Sequence, residues 1–89
     1  MNLNLTLKGT YSLNEVIKIN HLIDGAISIA EIKGSAAICQ GGHCCEVGCR
    51  NCPFKDFCYV TLSVSDMYVA KDCFNSFIEH NYFQNRNGN

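Results

Sequence analysis

Eighty-nine residues make one small domain, whose core alone gives thin stability unless a metal, disulfides or a partner adds to it. With 47% hydrophobic and 17% charged residues the composition is that of a globular chain, which excludes disorder throughout. A formal net charge of −1, with cations and anions interspersed, leaves no basic stripe to neutralise a phosphate backbone.

Leu3, Leu5 and Leu7 alternate with polar residues, the period-2 pattern of a half-buried strand that Gly9 and Thr10 end. Ser12 precedes Glu15 by three positions, the spacing of a capping box at a helix start. Leu13, Val16, Ile17, Ile19 and Ile23 recur at helical spacing, so a helix is expected over 13–23, ending near Asp24 and Gly25. In the following stretch Ile27 and Ile29 alternate, which favours a strand over a continued helix. The run Tyr59 to Ser65, β-branched and aromatic, predicts another short strand. Ser65 is placed to cap a last helix, with Asp66 at the positive end of its dipole. Met67, Ala70, Phe74, Phe77 and Ile78 would form the apolar face of that helix, and Cys73 would be a small buried hydrophobe. Residues 84–89 are polar and expected to form a disordered tail. The expected architecture is a single α+β domain over 1–89, two helices and a few short strands around a cysteine-rich loop.

That loop spans 39–58 and contains Cys39, Cys44, Cys45, Cys49, Cys52 and Cys58, six of the seven cysteines. Seven is odd, so a fully paired set of intrachain disulfides is impossible. The opening residues show no basic region followed by an apolar run, and no stretch approaches the ~20 apolar residues that cross a bilayer. The expected compartment is the cytoplasm, with no membrane contact. Clustered cysteines in a reducing compartment are more often metal ligands than structural bridges.

Cys44, Cys49, Cys52 and Cys58 follow the spacing C-x4-C-x2-C-x5-C. The C-x2-C step forms a tight knuckle that presents two sulfurs to one ion. Four thiolates then complete a tetrahedral shell for zinc at ~2.3 Å, or ligate a [4Fe–4S] cluster. Gly48 allows the sharp turn into the knuckle, and Pro53 fixes the chain direction after it. The first ligand stays open. Cys44 lies nearest the glycine turn, while Cys45, Cys39 and His43 are alternates. Arg50 and Lys55 would offset the negative charge of a tetrathiolate site, or contact phosphate. Base rates for small domains favour zinc over the cluster. A Cys–His pair adjacent in sequence lacks an orienting third group, and no other catalytic set is visible, so no enzymatic activity is expected.

Two resemblances follow from these residues. Cys49, Cys52, Pro53, Phe54 and Cys58 resemble the end of the iron–sulfur staple in RecB-family nucleases and of the cluster loop in endonuclease III-type glycosylases. This implies a [4Fe–4S] cluster on Cys49, Cys52 and Cys58 with a fourth cysteine upstream, without either family's catalytic machinery. Gly41, Gly42, His43, Cys44, Cys49, Cys52, Pro53 and Phe54, with Ile78 to Asn81 near the end, are similar to small tailed-phage proteins. That resemblance implies Cys44, Cys49, Cys52 and Cys58 as ligands. The functions expected are a non-enzymatic metal-binding module acting on a host or viral protein, or a nucleic-acid-binding zinc knuckle using Arg50, Lys55, Phe54, Phe57 and Tyr59, or an iron–sulfur redox or sensor protein.

Overall fold

The computed structural model describes residues 3–42 and 44–87, with 44, 45 and 82–87 described for their backbone alone. Two long helices, α1 (Leu13–Lys33) and α3 (Val64–Asn87), flank the cysteine segment. Between them lie β1 (Ser35–Ala36), the 3-10 helix η1 (Ile38–Gly41), the single turn α2 (Cys44–Val47), the 3-10 helix η2 (Cys49–Asn51) and β2 (Leu62–Ser63). This is a small α+β arrangement with a two-stranded antiparallel sheet.

The start of α1 is set locally, as its sequence implies. The Glu15 amide donates to Ser12 Oγ at 3.2 Å, and the Ser12 amide donates to Glu15 Oε1 at 2.8 Å. Both halves of the capping box are therefore made. The Lys8 ammonium pairs with the Glu15 carboxylate and, together with the Ser12 amide, holds it below the usual carboxylate range. A carboxyl whose folded-state pKa is depressed adds stability above its unfolded value. That stability is lost as pH falls through the lower, folded value. Removing the hydroxyl acceptor with Ser12→Ala is expected to cost about 1 kcal/mol. A urea midpoint unchanged from the parent would contradict this.

The end of α1 departs from expectation. The helix runs ten residues past Ile23 to Lys33, and Gly34 caps it with φ 93° and an amide bonded to the Ala30 carbonyl at 2.7 Å. Its buried residues are Ile19, Leu22, Ile23, Ala26, Ile27 and Ala30, an unbroken stripe at 3–4 spacing. The stripe passes through Gly25, so Asp24 and Gly25 terminate nothing and the expected strand at Ile27 and Ile29 is helix. Leu3 to Lys8 is likewise no strand. It is tied down by the Thr6 amide on the Pro53 carbonyl at 2.9 Å and the Thr6 hydroxyl on Asp56 at 2.7 Å. One backbone bond of this kind does not make a ladder.

β1 and β2 pair with Ser35 opposite Ser63 and Ala36 opposite Leu62. The expected strand from Tyr59 to Ser65 shrinks to those two residues, because 53–60 is a series of turns. In it the Phe57 amide reaches the Phe54 carbonyl, and the Val60 amide reaches the Phe57 carbonyl, each at 3.0 Å. Ser63, rather than Ser65, caps α3, its Oγ accepting from the Asp66 amide at 3.2 Å. Met67, Ala70 and Phe74 are fully buried on α3, and Phe77 and Ile78 pack half-buried beside them. Cys73 is exposed, contrary to expectation. A helical residue one position before Phe74 points about 100° away from the buried face. The backbone of α3 stays helical to Asn87, past Gln84 where a tail was expected, and Gly88 and Asn89 lie outside the described residues.

The helices are fastened to each other by a reciprocal amide pair. Asn20 Nδ2 donates to Asn75 Oδ1 at 3.1 Å and Asn75 Nδ2 donates to Asn20 Oδ1 at 2.8 Å. The second proton of each amide goes to the carbonyl four residues back, Val16 and Lys71. Lys71 also pairs with Asp24 at 2.6 Å. Beneath these contacts Phe74 is ringed edge-on by Tyr11 at 5.3 Å and by Phe54 at 6.3 Å between centroids. Phe54 has no exposed surface, and burying a side chain of that size contributes roughly 1.5–3 kcal/mol. The cysteine segment is thus anchored by its own aromatic residues in the common core. Among the described residues no helix is long and apolar enough to cross a membrane.

Candidate metal centre

The cysteine segment is a loop drawn closed at its base. The β1–β2 ladder joins 35–36 to 62–63, and further in the Cys39 amide donates to the Cys58 carbonyl at 3.0 Å. Residues far apart in the loop are brought face to face by this zippering.

On the later side, Gly48 turns the chain with φ 81° and ψ 132°, a combination that strains any residue with a Cβ. η2 follows, and the Cys52 amide returns to the Cys49 carbonyl at 3.3 Å. This is the knuckle that C-x2-C implies. The Lys55 amide then bonds the Cys52 carbonyl at 3.3 Å, and Cys58 Sγ lies 3.7 Å from the Lys55 carbonyl oxygen. Cys49, Cys52 and Cys58 consequently line one small cavity of about 20 Å³, together with Lys55 and Leu22 of α1. Three of the four leading candidate ligands therefore share one space. Cys49 is exposed, Cys58 is half-buried and Cys52 faces the core with 6% of its surface accessible. All three, like Cys39 and Cys73, are thiols and not cystines.

Burial pushes the Cys58 thiol pKa up, and its neighbours Cys39 and Cys49 push it the same way. A negative charge on either neighbour disfavours ionisation of the Cys58 thiol. Cys39, on the opposite arm of the loop, meets Cys58 through the backbone bond between them.

The upstream arm is placed by a backbone contact that the sequence reading did not find. A Cβ at Gly41 would lie 2.6 Å from the Leu22 carbonyl oxygen and 2.9 Å from the Ala26 nitrogen. A Cβ at Gly25 would lie 2.7 Å from the Gly41 carbonyl oxygen. Two glycines thus let η1 sit directly on the α1 backbone, at the residue that walls the thiol cavity. The available signal was Gly25 standing inside an uninterrupted apolar stripe. Gln40 stiffens the same turn, its Oε1 accepting from the Ala37 amide at 2.8 Å.

The other candidates fare as follows. Cys44 and Cys45 open α2, and their side chains, with the whole of His43, lie outside the described residues. Arg50 lies in η2, and Lys55 lines the same cavity as the thiols. Phe54 and Phe57 are 0% and 7% exposed, so neither can stack on a base, whereas Tyr59 is 72% exposed.

Among the described residues no three His, Cys, Asp or Glu side chains are arranged as a ready-made metal shell. The donor set nevertheless fits a thiophilic ion by its chemistry: three soft sulfur donors lining one small space. When bound, such an ion would supply crosslinking, with Cys49, Cys52 and Cys58 holding it. A second hollow of about 180 Å³ is lined by Glu15, Lys18, Ile19, Glu46, Val47 and Asn51. It falls below the ~300–1,000 Å³ of small-molecule pockets. No family model, curated protein or solved structure matches the chain.

Proposed function

We propose that this chain is a non-enzymatic interaction module whose cysteine loop is stapled by one zinc ion and presented to a protein partner. The observation that carries the reading is the convergence of Cys49, Cys52 and Cys58 on one cavity of atomic size. Three thiols lining one small space are the donor set of a structural ion. The role of the ion is to hold η2 and the turns around Phe54 against α1, giving a short chain a rigid surface it could not hold by core burial alone. Exposed Tyr59 on that loop and Tyr68 and Val69 on α3 supply apolar contact area for the partner. The resemblance to small tailed-phage proteins supports a partner of host or viral origin in the host cytoplasm.

The test is metal analysis with a visible absorption spectrum on anaerobically purified protein. About one zinc per chain and no visible band are expected, and a metal-free, folded protein overturns the proposal. The proline-containing staple favours a [4Fe–4S] cluster as second reading. Iron and sulfide with a brown colour would decide for it. For the partner, affinity capture with the parent and with Cys49→Ser should recover one protein only with the parent. Failure to recover any protein reproducibly removes the interaction role and leaves the metal reading standing.

A further inference from the structure

We infer that residues 3–7 are a displaceable arm lying on a docking face of the cysteine loop, and that the protein partner binds by seating an extended segment of its own in the arm's place. The inference rests on the interaction-module reading above and adds to it the surface and the chemistry of the segment it takes. Three observations carry it. The root of the arm is fixed: the Lys8 amide donates to the Tyr11 hydroxyl at 3.0 Å, and the Lys8 ammonium pairs with Glu15 and stands 4.9 Å from the centre of the buried Tyr11 ring. The body of the arm is held lightly. It forms no strand, Leu3 and Leu5 pack half-buried against the core, and Leu7 is exposed. It is tied by the Thr6 amide on the Pro53 carbonyl and by the solvent-exposed bond from the Thr6 hydroxyl to Asp56. The face beneath it belongs to the cysteine loop, since Pro53, whose side chain is fully buried, and Asp56 both lie in the 53–60 turns.

The arm itself shows what this face accepts. Leucines at alternate positions pack against the core, a backbone amide meets the Pro53 carbonyl, and a hydroxyl on the same residue donates to the Asp56 carboxylate. An extended segment of the partner carrying Leu-x-Leu-Thr, or serine in place of threonine, can make the same set. Main-chain hydrogen bonds then give affinity and the alternate side chains give selectivity. Because the arm is tethered at Lys8, its local concentration is on the order of millimolar. It therefore outcompetes a short free segment, and the partner must add contacts of its own. Tyr59, exposed on the same turns, is available for those.

The experiment is a nuclear magnetic resonance titration of the full chain with a synthetic peptide of residues 3–10, for the parent, Leu3→Ser/Leu5→Ser and Thr6→Ala. The double variant should bind the peptide at least about tenfold more tightly than the parent, because its own arm no longer competes. The amide shifts should centre on 53–57. Thr6→Ala removes a solvent-exposed tie and leaves the core untouched, so it reads out the same effect even if the double variant fails to fold. Its gain should be about threefold, the worth of one modest hydrogen bond. A peptide with both leucines replaced by serine should shift nothing. Equal binding by the parent and the folded variants, no binding to those variants, or binding of the serine peptide overturns the inference. Shifts at 53–57 that grow with protein concentration in the absence of peptide would assign the face to a second copy of the chain and overturn the partner assignment. Each of these failures leaves the zinc-stapled module and its affinity capture standing.

Discussion

Replacing Cys49 by serine is expected to destabilise the protein by at least about 3 kcal/mol and to abolish the stabilising effect of bound zinc. Cys49 is exposed and is not a member of the hydrophobic core. In a metal-free protein an exposed Cys→Ser change would therefore fall within about 0.5 kcal/mol of neutral. As the metal ligand proposed above it would carry far more. Structural zinc contributes roughly 10–16 kcal/mol of apparent binding free energy in small zinc-dependent domains, while a whole domain is stable by only about 5–15 kcal/mol. Losing a fraction of the first term is enough to unfold the loop or the chain. Cys52→Ser should be worse, because it also buries a hydroxyl beside Phe54 and Leu22. The measurement is urea unfolding of the parent and Cys49→Ser, each with and without a chelator. The parent with chelator should behave like the variant. A Cys49→Ser protein as stable as the parent, in a parent indifferent to chelator, would leave the thiols without a structural ion.

Gly25→Ala and Gly41→Ala should each destabilise by about 3 kcal/mol, the upper part of the range for overpacking. The sign of the first is the informative point. An alanine inside a helix is normally favoured over glycine by about 1 kcal/mol, so propensity alone predicts a gain at Gly25. Here the added methyl meets the Gly41 carbonyl oxygen at 2.7 Å, and at Gly41 it meets the Leu22 carbonyl oxygen at 2.6 Å. Both obstacles are backbone, which cannot rotate away as a side chain could. The relief available is to lift η1 off α1, which moves Cys39 away from Cys58. Both variants should accordingly lose stability and strain the backbone bond from Cys39 to Cys58. Gly9→Ala, with no atom within 4 Å of the added Cβ, is the control and should be near neutral. Thermal unfolding of the three variants decides it, and a stabilised Gly25→Ala would show that the contact carries no weight.

Charge and core placement narrow the alternatives physically. A base-stacking surface needs exposed aromatic faces, yet Phe54 packs on Phe74 and on Phe57, with centroids 6.0 Å apart for the latter pair. Of Phe54, Phe57 and Tyr59, Tyr59 alone faces outward.

Features governed by near neighbours were readable from the order of residues. The Ser12–Glu15 box, Ile19 and Ile23 of the α1 stripe, the turn from Cys49 to Cys52 and the buried set Met67, Ala70 and Phe74 depend on contacts within one or two helical turns, whereas Leu13 and Ile17 of the expected stripe stand exposed. Propensity and spacing fix those wherever the chain goes. Gly25 was misread as a helix end because a glycine's local preference is to stop a helix, while its reason for being there is a carbonyl sixteen residues later. Ser63 displaced Ser65 as cap once β2 set where α3 could begin.

The sequence by itself determined that sulfur would be concentrated in one loop, and that a knuckle would pair Cys49 with Cys52. Only the tertiary structure decided which distant groups meet there. The β1–β2 ladder and the glycine contact on α1 bring Cys39 to Cys58, and Phe54 and Phe57 sink into the core and take the loop with them. Spacing along a chain limits what short segments can reach, but proximity across a loop is set by the pairing at its base and by the surface on which each arm rests.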